Sequence, residues 1–191
     1  MTFDPEIFLG FALGLGLSAS CGFRVFIPML ITGLAGHFGW MHMADNLKWL
    51  ASWPAIICFS AAAIIEVLAY YIPVVDNFLD TIATPSSVVA GTLVSASAFV
   101  HLDPSWQWVL ALIIGGGSAG LIQEGTGLTR LGTTKMTAGT ANHVLASTEN
   151  TAATGVPILA LLAPVFAAFV AIFLIFLVSF TGYRFFVKKS K

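Results

Sequence analysis

Between Val156 and Phe180 the chain runs for 25 residues without one charged side chain. Coiled as an α-helix at about 1.5 Å per residue, that run would exceed the roughly 30 Å hydrocarbon core of a bilayer. Four more apolar stretches precede it: Ile7–Ala35, Trp49–Ile72, Ser87–Val100 and Trp106–Ile122. The third is short and needs flanking residues to cross. Only 9% of the 191 residues are charged, against 58% hydrophobic, and the mean hydropathy is +0.92. So few charges cannot coat a water-soluble surface. The expected fold is all-α: a polytopic transmembrane helix bundle of about five segments, in one domain covering 1–191.

The same composition excludes other classes. A net charge of −1 offers no basic stripe to nucleic acid, so no nucleic-acid partner is expected. Cys21 and Cys58 lie in apolar runs and read as small fillers, not as a disulfide or zinc framework. His/Cys clusters are absent, so neither metal nor cofactor is expected. The start, MTFDPEIF, carries Asp4 and Glu6 but no Lys or Arg. A signal peptide needs a positive start, so this segment reads as retained in the membrane.

Orientation follows from lysine and arginine. The tail GYRFFVKKSK holds Arg184, Lys188, Lys189 and Lys191, which predicts a cytoplasmic C-terminus in a multi-pass inner-membrane protein. The N-terminus then faces out, which five crossings satisfy. On that count HFGWMHMADNLKW is cytoplasmic, VVDNFLDTIATP is external, and Arg130 and Lys135 fall outside. The first and fourth stretches break in a similar style, SASCGFR against GGGSAGLIQEGTGLTR. Half-repeats of 7–73 and 106–182, joined by a membrane segment at 86–101, would run in opposite directions as in inverted-repeat transporters.

Ionisable residues inside membrane segments carry the functional argument, because they are costly there. Arg24 follows Gly22 and precedes Pro28, where helix continuity weakens. It either snorkels to headgroups or meets an anion inside the bundle. Glu66 lies deep in CFSAAAIIEVLAYYIP, with Cys58, Ala62 and Tyr70 at four-residue spacing on one face. Its cationic partners would be Arg24, Arg130 or Lys135, either as a structural lock or as a coupling site. Asp76 and Asp80, four apart after Pro73, read either as a solvated loop or as carboxylates at a pore mouth. Glu124 follows the glycine-rich GGGSAG, whose glycines imply close helix contact or unwinding; a contact with Arg130 is within reach.

The stretch TTKMTAGTANHVLASTENTAATG, from Thr133 to Gly155, has no apolar run and few formal charges. It reads as a polar helix or half-helix, over about Thr134–Ser147, buried against other helices. Lys135, Asn142, Glu149 and Asn150 are its chemically interesting members. His37 and His42 sit among Trp40, Trp49 and Trp53, an interfacial belt pattern.

Taken together, GFRVFIPMLITGLAG at Gly22–Gly36, EVLAYYIPVVDNFLDTIATP at Glu66–Pro85, the following VVAGTL and TTKMTAG at Thr133–Gly139 resemble the small bacterial membrane proteins grouped as domain of unknown function 4126. That resemblance implies a polytopic inner-membrane protein and supplies no activity. The family often has a charged residue where this chain has Tyr71.

Three functions follow. The first is a small transporter or channel-like protein, a homo-oligomer in the simplest form, for a small polar or charged solute or a lipid headgroup. Arg24, Glu66 and the polar helix would line its path. The second is a scaffold whose polar residues only pin helices. The third is a lipid-modifying enzyme using Glu66, His143 or Glu149; no nucleophile is paired with a base at a known spacing, so an enzyme is the least expected.

Overall fold

The computed structural model describes residues 5–71, 73–137 and 142–189; side chains at 73–78, 80–81, 131–137, 142–143 and 181–189 are outside the description. In chain order the helices are α1 (Pro5–Cys21), α2 (Phe26–His37), a 3-10 helix (Asp45–Ala51), α3 (Trp53–Ala69), α4 (Pro73–Ala98), α5 (Pro104–Leu110), a π turn (Ala111–Gly116), α6 (Gly117–Thr137), α7 (Asn142–Leu162) and α8 (Pro164–Lys189). Proline opens four of them and stands second in α3. That is where its missing N–H costs nothing and its fixed φ is already helical. Ser52 and Asp103 cap α3 and α5 by accepting from the amides of Ala55 and Ser105.

Close contacts give the direction of each helix. A Cβ on Gly10 would meet the Ala98 carbonyl, and Ser95 donates to the Gly14 carbonyl at 2.9 Å, so α1 and α4 are antiparallel. Cβ atoms on Gly91 and Gly115 would each strike the other's carbonyl, while Thr84 donates to Glu124, so α4 and α5–α6 are antiparallel. Ser18 and Ser118 hydroxyls meet at 3.0 Å, and Gly22 abuts Ala119 and Ile122, so α1 and α6 are parallel. Gly16 touches both Ala160 and Ala167, on either side of the turn at Ala163 between α7 and α8.

Among the described residues the chain thus makes seven alternating legs: α1, α2, α3, α4, α5–α6, α7 and α8. This corrects several expectations. The stretch Ile7–Ala35 is a hairpin, because α2 folds back at Gly22–Val25. The stretch Val156–Phe180 is split at Ala163. Residues 73–85 are not a loop but the first half of α4, which continues through Pro85. The two half-units supply three legs each, so equivalent legs run in the same direction and are not inverted. HFGWMHMADNLKW lies at the same end as the N-terminus: Met41 and His42 line a groove with Glu6 and Leu9. The start of α4 and the end of α6 lie at the opposite end with the C-terminal half of α8.

The core is tight and made of small residues. Leu17, Ala19, Cys21, Val94, Ala119, Ala160, Ala167 and Ala171 are fully buried, and serine hydroxyls satisfy helix carbonyls between them. The outside is apolar. Ile57, Ile64, Ile65 and Leu68 project from α3, and Phe166, Phe169, Phe173, Phe176 and Phe180 from α8. Among the described residues, Pro104–Arg130 is the one helix long and apolar enough to cross a membrane. The 3-10 helix and α3, bent by 57°, would together make a second.

A candidate site at a helix break

The turn between α1 and α2 builds the site. The amides of Gly22 and Phe23 close back on Ala19 and Ser20 carbonyls at 3.2 and 3.0 Å. Gly22 is required there, since a Cβ would lie 2.6 Å from both the Ala119 carbonyl oxygen and the Ile122 Cβ. The next residue but one, Arg24, is thereby aimed inward, and only 1% of it is exposed.

The first residues of α2 cannot cap themselves, because Val25 at the N-cap has no side-chain acceptor. The acceptor comes from α3. Glu66 takes the amides of Val25 at 2.8 Å and Phe26 at 3.0 Å. Its carboxylate thus sits at the positive end of the α2 dipole. The expected cationic partner of Glu66 is in the first instance a helix end; Arg24 and Arg130 lie near enough to act through their charge. The buried face of α3 runs Ile56, Phe59, Ala63, Glu66 and Tyr70. Cys58 is turned outward, which corrects the Cys58–Ala62–Glu66–Tyr70 face drawn from spacing alone.

Arg24 meets α7. Its Nη1 donates to Glu149 Oε2 at 2.9 Å and to the Phe23 carbonyl at 2.9 Å, and its Nε donates to Asn150 Oδ1 at 2.7 Å. Nη2 reaches the Ala146 carbonyl at 3.4 Å. Arg130 of α6 engages the same carboxylate, with Nε 3.3 Å from Glu149 Oε1 and a second, shorter bond from Nη2 to Oε2. Both guanidinium groups lie over the Tyr70 ring, 3.9 and 4.2 Å from its centre. Such cation–π contacts strengthen when water is excluded.

Two cations and two anions therefore meet from the α1–α2 turn, α3, α6 and α7, all nearly buried. Burying one ion costs several kcal/mol, which the mutual pairing and the hydrogen bonds offset. Glu66 is 13 residues past Trp53, so the cluster lies about 20 Å along α3 from the tryptophan end. It also borders the chain break at Gly22–Val25.

Of the residues singled out from sequence, the structure brings Arg24, Glu66, Glu149 and Asn150 together. Glu124 is elsewhere, accepting from Thr84 on α4 at 3.0 Å, while Arg130 turns to Glu149. The side chains of Asp76, Asp80, Lys135 and Asn142 are outside the described residues, as is that of His143. Asp76 and Asp80 fall in the first turns of α4 and Lys135 in the last turns of α6. Arg130 and Tyr70 complete the cluster but were not read as site residues. Arg130 was legible as one of few interior cations, and Tyr70 as the i+4 neighbour of Glu66. The polar stretch Thr133–Gly155 is not one helix over Thr134–Ser147. Its described parts, 133–137 and 142–155, are the end of α6 and the first two-thirds of α7, with Ala146, Glu149 and Ala153 buried and Ser147, Thr148, Thr151 and Thr154 exposed; 138–141 lie outside the described residues.

No curated protein and no solved structure matches the chain. A family model does, over residues 11–184, from α1 through most of α8 and including every member of the cluster: the chain belongs to the family described as a domain of unknown function, DUF4126.

Proposed function

We propose that this is an integral membrane protein that binds and passes a small polar or charged solute, or a lipid headgroup, at the Arg24–Glu149–Arg130–Glu66 cluster. The observation that carries the reading is the cluster itself. Four ionisable side chains from separate elements converge beside a helix interruption that one of their carboxylates caps directly. Intramembrane ions are retained mainly for function, and transporter sites favour broken helices.

Placement in an inner membrane rests on the apolar exterior and on the charge map. All five tryptophans, at 40, 49, 53, 106 and 108, are exposed and belong to one end of the bundle, as an interfacial belt would. Six of the seven basic residues among those described fall toward the other end; Lys48 is the exception. The positive-inside rule then puts the tryptophan end and the N-terminus outside and the C-terminus inside. Arg130 and Lys135 no longer need an outside location.

A second reading has its own support. Among the described residues Glu149 is shared by two guanidinium groups, as in a lock that pins the α1–α2 turn, α6 and α7 for a scaffold. Swelling of protein-loaded liposomes separates the two. The probes are a zwitterionic amino acid, a monocarboxylate and a primary amine. The carrier reading expects swelling with at least one, lost on Glu149→Gln. Swelling no faster than in protein-free liposomes for all three leaves the scaffold.

A further inference from the structure

The cluster has a side door. Helices α3 and α4 diverge, and a chamber of about 210 Å³ opens between them, lined by Phe26, Glu66, Tyr70, Ile82, Ala83 and Ser86 among others. A second groove of about 380 Å³ continues it between α2 and α4, from Val25 and Ser86 up to Met29 and Leu93. The two share Val25, Phe26 and Ser86, so they form one slot. From Leu79 to Leu93 along α4 the slot is about 21 Å long, more than the roughly 15 Å of one leaflet of the hydrocarbon core. Its upper part is apolar. Its lower end holds Glu66.

Glu66 has capacity to spare. A carboxylate offers roughly four lone-pair positions, and the amides of Val25 and Phe26 take two. Arg24 and Arg130 are directed at Glu149 instead. What a carboxylate at the lower end of an apolar slot accepts is a hydrogen-bond donor, best a cationic one, attached to a hydrocarbon chain. We propose that this slot binds one acyl chain of an aminophospholipid, with the ammonium group drawn in toward Glu66 and the chain running along α4 toward Leu93. The inference rests on the membrane placement proposed above, and not on passage of a solute.

The test uses the full-length protein in phosphatidylcholine nanodiscs doped with a phosphatidylethanolamine carrying a photoreactive acyl chain. Crosslinks should concentrate at residues 25–29 and 82–93. Unlabelled phosphatidylethanolamine should compete about tenfold better than phosphatidylcholine, the difference one charge-assisted hydrogen bond supplies. Ala83→Phe, which fills the chamber from the α4 side, should remove the labelling. Glu66→Gln should erase the headgroup preference and keep the labelled positions. Labelling spread over α8 as strongly as over the slot, or unchanged by Ala83→Phe, would overturn the proposal alone. Equal competition by both lipids would also overturn it. Protein that does not enter nanodiscs would overturn the membrane placement and this inference with it.

Discussion

Glu149 is the residue on which the cluster turns. It pairs with Arg24 and Arg130 at once, so removing it takes from two buried guanidinium groups the carboxylate they share. Glu149→Ala is expected to destabilise the protein by about 3–5 kcal/mol, the cost of breaking a buried pair. Arg24→Met alone should cost less, since Arg130 still balances Glu149. The double variant Arg24→Met/Glu149→Ala should fall short of the sum. Denaturant titration in detergent measures all three, and strict additivity would mean that the pairing carries no energy. Sequence made half of this legible. Arg24 stood out as an interior charge in need of an anion, and Glu149 as a charge in an uncharged neighbourhood. The pairing itself did not, because 125 residues separate them and no local spacing encodes so distant a contact.

At the scale of helices, α2 depends on a neighbour for its start. Glu66→Ala removes both acceptors at its first turn, and hydrogen bonds to a charged group are worth about 1.5–3 kcal/mol each. Hydrogen exchange at Val25–Met29 should rise selectively, with α3 itself little changed; uniform exchange across the bundle would deny the capping role. Glycines act in the opposite sense, by letting backbones touch. Gly91→Ala would drive a Cβ within 2.7 Å of the Gly115 carbonyl oxygen and 2.6 Å of the Ala119 Cβ, an overpacking that costs about 1–3 kcal/mol. A melting temperature equal to the parent's would contradict the contact. The glycine run 115–117 was readable as close contact or unwinding; Gly115 and Gly116 make close contacts with α4, and the helix continues through them by way of the π turn. Helix α4 was harder to read. Asp76 and Asp80 read as part of a loop or a pore mouth, yet they open a helix that continues through Pro85, whose ring lies on the exposed side, where the lost bond to a preceding carbonyl is tolerated.

For the molecule as a whole, hydropathy counted apolar runs and could not count turns. The reversal at Gly22–Val25 takes four residues and the one at Ala163 a single residue; the first falls at the SASCGFR break, which hydropathy did not read as a turn, and the second lies inside continuous apolar text. Five stretches therefore become seven legs. The parity survives, and with it the opposite ends for the two termini, but the sides of the intervening connections reverse. Single cysteines at His42 and at Thr2 should be modified by an impermeant thiol reagent from the same side of the membrane, and one at Ser190 from the other. Modification of positions 2 and 42 from opposite sides would restore the five-segment order.

The central claim is that the charge cluster is a site reached by water, and not a dry lock. The most direct measurement places a single cysteine at Asn150 or Ala146, beside the Arg24 guanidinium, with Cys21 and Cys58 replaced by alanine. Sealed vesicles of each orientation are then exposed to an impermeant thiol reagent. The account predicts labelling at both positions from the side of the C-terminus, faster than at a cysteine replacing the core residue Val94. Labelling as slow as at Val94 from either side would contradict it, and the cluster would be only the pin that holds α1, α6 and α7 together.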